Sequence, residues 1–257
     1  MRYAKGTCSV SGERDIPILR VVRNSKFITH QQLFEMMLLA GKEYSHSGFN
    51  WRMKRLRDAQ FVDICEGKFG RGTLIYRIAN CGLLQLEDHG HFAAVLNSTT
   101  EHLPHPSQVH HALELNSIHL ALTRGNVLAA WLSDVETASG NTVSRSPLNK
   151  DYDAIVDVWS EQKMARFALE YERTLKNSRQ YERVRRNLER DQRIGCVLYL
   201  TAGDDIALHL SYELSGLPKR LAFATSTAFR QQLLDTPVRV HPDHPMTAFR
   251  RLLHGMF

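Results

Sequence analysis

Three carboxylates fall at spacings that suit chemistry on phosphodiesters: Asp153, Glu170 and Glu172. Asp153-Ala-Ile-Val-Asp-Val-Trp159 alternates polar and apolar residues at period two, and so does Arg166-Phe-Ala-Leu-Glu-Tyr-Glu172. Side chains alternate across a strand, so Glu170 and Glu172 share one face while Phe167, Leu169 and Tyr171 point into a core. Asp153 and Asp157 likewise share a face of the preceding strand. Neighbouring strands lie about 4.8 Å apart. Asp153 and Glu170 can therefore meet around one hard cation such as magnesium, which prefers oxygen ligands. Such a cation activates water and stabilises the charge of phosphodiester cleavage. The other reading is that these carboxylates pair with nearby arginines or face solvent.

A second group of residues suits nucleic acid. A helix is predicted from Ser45 or Ser47 through Trp51, Met53, Leu56 and Arg57 to Ala59. Ser47, Asn50, Arg52, Lys54 and Arg55 are read as its outward face. Arg and Asn make bidentate contacts to guanine and adenine edges. The turn Gly67-Lys-Phe-Gly-Arg-Gly72 adds Lys68 and Arg71, suited to phosphates or a minor groove. Further on, the stretch 173–193 holds eight Lys and Arg (Arg173, Lys176, Arg179, Arg183, Arg185, Arg186, Arg190, Arg193) against three acids. It is either a contact for a second stretch of phosphate backbone, with Arg179, Arg183 and Arg186 foremost, or a solvated face stitched by Glu–Arg pairs at i, i+4.

The elements that must position these residues follow from periodicity and punctuation. Ile16, Leu19, Val21 and Val22 give a short helix after Asp15, with Pro17 early in it. Thr29 is an N-cap for a second helix with Leu33, Met36, Met37 and Ala40 inward, and Gly41 ends it. After the basic third helix, Val62 to Cys65 and Leu74 to Ile78 read as strands flanking the glycine-rich turn, and Gly82 to Leu86 as a short helix. Three helices, strand, turn and strand is the winged-helix order, in which the third helix enters a major groove. Residues 13–88 form this domain. His89 to Gln108 is polar and rich in turn-formers, which marks a linker at 89–108. Residues 109–257 then run helix, three strands, a long polar helix over Thr174–Arg193, and strands at Cys196–Thr201 and Leu221–Thr225. That order implies a mixed sheet covered by helices. The fold class is thus α+β: a winged helix-turn-helix domain followed by an α/β domain.

Composition narrows the function. The chain has 257 residues and a formal net charge of +6. Residues 1–90 carry 14 Lys and Arg against 9 Asp and Glu, and the rest is nearly balanced. That local excess attracts polyanions. Cys8, Cys65, Cys81 and Cys196 lie far apart with no C-x-x-C pair, which fits a reducing cytoplasm rather than a zinc ribbon or disulfide framework. No run of about 18 apolar residues and no signal-like N-terminus occurs, so no membrane association is expected. The histidines His89, His91, His102, His105, His110 and His111 lack a cysteine partner and fall largely in the linker. No phosphate-binding loop with lysine is found, so no nucleotide cofactor is expected.

The acidic strands resemble the PD-(D/E)xK nuclease fold, through Tyr152-Asp153 and Glu170-Tyr171-Glu172. The resemblance implies a restriction-endonuclease-like domain in which Asp153 and Glu170 hold magnesium. Tyr152 stands where proline is usual and Glu172 where lysine is expected. Lys176, one turn into the next predicted helix, is the candidate replacement. The chain also resembles the replication-relaxation family of plasmids and mobile elements. Ile18-Leu-Arg-Val-Val22, Phe27-Ile-Thr-His-Gln-Gln-Leu33, Arg55-Leu56, Leu74 to Gly82, His111 to Asn116, Tyr152-Asp-Ala154, Phe167 to Glu172 and Tyr181 carry that resemblance. It implies a sequence-specific protein of double-stranded DNA, a regulator or a replication or mobilisation protein, homodimeric, with a degenerate nuclease-like domain. The alternative is a magnesium-dependent DNA endonuclease targeted by its winged helix, using Asp153, Glu170, Glu172 and Lys176.

Overall fold

The computed structural model describes residues 9–65, 73–93, 105–145 and 147–255. The chain divides into two compact units, Met1–Leu120 and Ala121–Phe257.

The first unit runs α1 (Asp15–Ser25), β1 (Ile28–Thr29), α2 (His30–Leu39), α3 (His46–Asp58), β2 (Val62–Ile64), β3 (Ile75–Ile78), α4 (Asn80–Asp88) and most of α5 (Pro106–Arg124). The division therefore falls later than a linker at 89–108 would put it. The reason is hydrogen bonding: Gln32 Nε2 donates to Leu113 O at 2.8 Å, and Asn116 Nδ2 donates to Phe27 O at 2.8 Å. α2 begins at Thr29 as its side chain dictates. The Thr29 hydroxyl accepts from Gln32 N at 3.1 Å, and Thr29 N donates to the Gln32 carboxamide at 3.2 Å. Gly41 follows α2 at φ 65°, the left-handed geometry that glycine adopts without penalty. The three short strands form one antiparallel sheet in the order β1-β3-β2. Two-residue β1 is too short to leave a periodic signal.

Ile18, Leu19 and Val22 of α1, Leu33 and Met37 of α2, and Phe49, Met53 and Leu56 of α3 close on one core. Each such side chain contributes about 1.5–3 kcal/mol by burial. Trp51, in the middle of the helix, is 60% exposed. Phe49, Met53 and Leu56 already fill the inward face at i, i+4 and i+7, and Trp51 lies on the other side of the helix.

The second unit runs β4 (Leu128–Ser133), α6 (Asp134–Val143), β5 (Ala154–Ser160), β6 (Lys163–Glu172), α7 (Ser178–Arg190), β7 (Cys196–Thr201), α8 (Asp204–Glu213), β8 (Arg220–Thr225), α9 (Ser226–Gln232), β9 (Pro237–Val238), β10 (Thr247–Ala248) and α10 (Phe249–Leu253). Five strands form a mixed sheet in the order β4-β5-β6-β7-β8. β4, β5 and β6 are antiparallel, while β7 and β8 run parallel to β6. The chain is α+β.

Local capping signals set where two helices of this unit start. At the end of β4 the Ser133 hydroxyl accepts from Glu136 N and the Glu136 carboxylate accepts from Ser133 N, so α6 starts at once. At α7, Asn177 and Gln180 cap each other, so the helix begins at Ser178 and not at Thr174. Lys176 therefore lies before the helix rather than one turn inside it.

The sheet is covered on both faces. Ile155, Ala168, Val197, Tyr199, Leu221 and Phe223 pack with Tyr181 and Leu188 of α7 and with Ile206 and Leu210 of α8. On the opposite face Phe167 meets Phe249 of α10 edge-on, ring centroids 5.1 Å apart. Among the described residues, no helix is long and apolar enough to cross a membrane.

Candidate functional site

On α3 the helical repeat sorts the candidates. Positions 49, 52, 53 and 56 fall on the inward face, and positions 47, 50, 51 and 54 on the outward one. Ser47, Asn50, Trp51 and Lys54 are exposed, and no partner engages Lys54 among the described residues. Asn50 is held in place: its Oδ1 lies 2.8 Å from His30 Nε2, and His30 Nδ1 lies 2.9 Å from the Tyr76 hydroxyl. Burial lowers the His30 pKa, with the hydrogen bond to Asn50 opposing and His46 adding to the fall. A neutral imidazole has one donor and one acceptor. Nε2–H therefore donates to Asn50, and the Tyr76 hydroxyl donates to Nδ1. The Asn50 amide N–H groups remain for an outside acceptor.

Arg52 and Arg55 depart from the outward reading. Arg52 is buried; its Nη1 lies 3.2 Å from Asp15 Oδ1 and its Nε pairs with Glu43. The Arg55 guanidinium pairs with Asp15 and donates to Ser9 O at 2.7 Å. It also lies 5.6 Å from the centre of the Trp51 ring. Asp15 is fully buried, so the two arginines neutralise a carboxylate that would otherwise be costly, and they fasten α3 to α1. Arg52, buried, is not placed to read a base, while Arg55 is partly exposed beside Trp51. Position 52, three after Phe49 and four before Leu56, carried the signal for this. Lys68 and Arg71 lie outside the described residues.

In the second unit the strand register assembles the acidic candidates. Ala154 pairs with Leu169, so Asp153, one residue before β5, comes opposite Glu170. Asp153 Oδ2 accepts from Tyr171 N at 2.7 Å. Glu170 and Glu172 are buried, and each has a lysine: Lys150 pairs with Glu170, and Lys176 with Glu172. Burial drives the Glu170 pKa up to about 7; Lys150 opposes this, and the charges of Asp153 and Glu172 add to it. Lys176 is raised despite burial, which lowers it, because Glu172, Glu170 and Asp153 together outweigh that penalty. Tyr199 stands beside Glu170 in the register, and its buried hydroxyl has no hydrogen-bond partner among the described residues. Burial, then Glu170 and Glu172, push its pKa well above the ordinary range, so the phenol stays protonated.

Magnesium requires hard oxygen donors, and Asp153, Glu170 and Glu172 are such donors. Here one holds a backbone N–H and two hold lysine ammoniums, and among the described residues no three metal-binding side chains converge. The residues as placed do not fit a metal site. Asp157, on the same face, is bound through both oxygens by Arg166, each at 2.7 Å. The expectation that arginines answer these acids holds for Asp157, while lysines answer Glu170 and Glu172. Lys150 escaped the sequence reading; its signal was its place three residues before Asp153.

Arg179, Arg183 and Arg186 are exposed on α7. No family model, curated protein or solved structure matches this chain.

Proposed function

We propose that the first unit is a winged helix that binds double-stranded DNA and that α3 is its reading helix. The observation that carries this is the outward face of α3, where Ser47, Asn50, Trp51 and Lys54 project while Arg52 and Arg55 brace the helix from behind. A helix so braced presents fixed donors to a groove, and fixed donors are what base discrimination needs. Asn50 offers N–H donors and Lys54 an ammonium, matched to acceptors on guanine, adenine or phosphate. The positive excess of residues 1–90 supports the same partner. Under this reading the chain is a DNA-binding protein of the replication-relaxation type, acting as a dimer on paired half-sites.

In the same reading the second unit is a nuclease-like fold that does not cut. Support comes from the lysines that occupy its carboxylates. The test uses a duplex selected from a random pool by the full chain. Asn50→Ala and Lys54→Ala should each reduce its preference over a scrambled duplex by about 1–3 kcal/mol for every base that the side chain reads. Unchanged preference in both would move recognition away from α3. Supercoiled plasmid with magnesium or manganese should stay intact; nicking that disappears in an Asp153→Ala/Glu170→Ala variant would instead establish the endonuclease.

A further inference from the structure

We propose that the solvent face of α7 is a second contact for duplex DNA, reading the phosphate backbone without regard to sequence. This rests on the reading that the chain binds DNA, and it gives the second unit a part in that binding.

Arg179, Arg183, Arg186 and Arg190 recur at i, i+4, i+7 and i+11, and all four are exposed. At about 100° per residue they fall within an arc of about 60°, and at about 1.5 Å per residue the stripe is about 16 Å long. That is the axial length of about five base pairs, each with a phosphate on either strand. Glu182 and Glu189 lie to one flank of the arc. The sequence left open a helix stitched by its own Glu–Arg pairs, and the structure decides against that for these arginines. Among the described residues, Arg179, Arg183 and Arg190 have no ion pair, and Arg186 Nε donates to the backbone carbonyl of Glu182 at 3.3 Å, not to its carboxylate. The Nη groups of all four guanidiniums thus have no partner among the described residues, and the guanidinium fork matches phosphate geometry.

The stripe is also rigidly mounted. Tyr181 and Leu188 bury the opposite side of the helix. Arg185, on that side, donates from Nη1 to Glu213 O and Ser215 O, each at 2.8 Å. A fixed cationic row loses less freedom on binding than flexible surface lysines do. The chemistry of the face selects the partner. A helix lying on an anionic membrane needs an exposed apolar side. The exposed residues of α7 are Ser178, Arg179, Gln180, Glu182, Arg183, Arg186, Glu189 and Arg190, and its apolar residues pack on the sheet. A polyanion with no hydrocarbon to offer fits this face.

The experiment measures the slope of log K against log salt for the full chain on 20-base-pair duplexes of several sequences. Replacing all four arginines by glutamine should flatten the slope by about 3 to 4, at about 0.9 per phosphate contact, equally on every sequence. The all-lysine variant should keep most of the slope. Should the glutamine variant fail to fold, the Glu182→Gln/Glu189→Gln variant decides, because removing the flanking acids should tighten binding to any duplex. An unchanged slope in the glutamine variant, or no tightening in the Glu variant, overturns the proposal. So does loss of binding to phosphatidylserine vesicles with the DNA slope intact, which would make the face a membrane contact. Failure of the α3 reading looks different: sequence preference survives Asn50→Ala and Lys54→Ala while the α7 slope still changes.

Discussion

Arg52 shows how one residue's role turns on the direction its helix gives it. Its charge suggests an interface, but its position puts the guanidinium between Asp15 and Glu43. Removing it strands buried Glu43 and leaves buried Asp15 with Arg55 alone, and breaking such a buried pair typically costs about 3–5 kcal/mol. Arg52→Ala should therefore shift the urea midpoint far down, whereas Lys54→Ala should leave it within about 0.5 kcal/mol of the wild type. An Arg52→Ala protein of wild-type stability that no longer bound DNA would return this residue to the interface. Glu170 carries a pH signature. Its folded pKa, about 7, is raised above the unfolded value of 4.5. Between those values the native state holds the extra proton, so this group's contribution is full below pH 4.5 and is lost as pH rises through 7. Glu170→Gln does not titrate. Its stability relative to wild type should climb by about 2–3 kcal/mol between pH 4.5 and 8 in unfolding titrations. Parallel pH curves would mean that Glu170 ionises freely.

The elements record how far local rules reach. Thr29 as an N-cap, the two alternating strands that bring Asp153 to Glu170, and the mixed sheet were all legible, because each depends on near-neighbour chemistry or a simple period. β1 was not, being two residues fixed only by pairing with β3. α6 and α8 were missed because weakly patterned helices owe their place to the sheet beneath them. The site was legible by half. The acids were found, but Lys150 reaches Glu170 only through the fold, and Arg52 was read as outward by its charge where its angle on the helix decided. Two glycines test the packing of elements. A Cβ on Gly82 of α4 would lie 2.2 Å from Phe61 O, so the helix rests directly on backbone there. Gly82→Ala should destabilise by about 1–3 kcal/mol. Gly140 of α6 has nothing within 4 Å of its Cβ position, so Gly140→Ala should stabilise by about 0.5–1 kcal/mol. Equal effects in urea unfolding would contradict this placement of α4.

At the scale of the molecule, two units carry cationic faces of different character. The outward face of α3 is mixed, with an amide, an indole and one ammonium, which suits discrimination. The α7 face is a row of guanidiniums, which suits affinity. The mixed sheet of the second unit supports the second face, and its Glu170 and Glu172 are engaged by lysines. The central claim is that duplex DNA covers the outward face of α3, and Trp51 reports on it from the middle of that face. A Trp131→Phe/Trp159→Phe protein keeps Trp51 as its one tryptophan. Titrating that protein with the selected duplex should quench and blue-shift the Trp51 emission, with the same midpoint as the anisotropy of the labelled DNA. Saturated anisotropy with an unchanged emission spectrum would show that the DNA binds elsewhere, and would contradict the account.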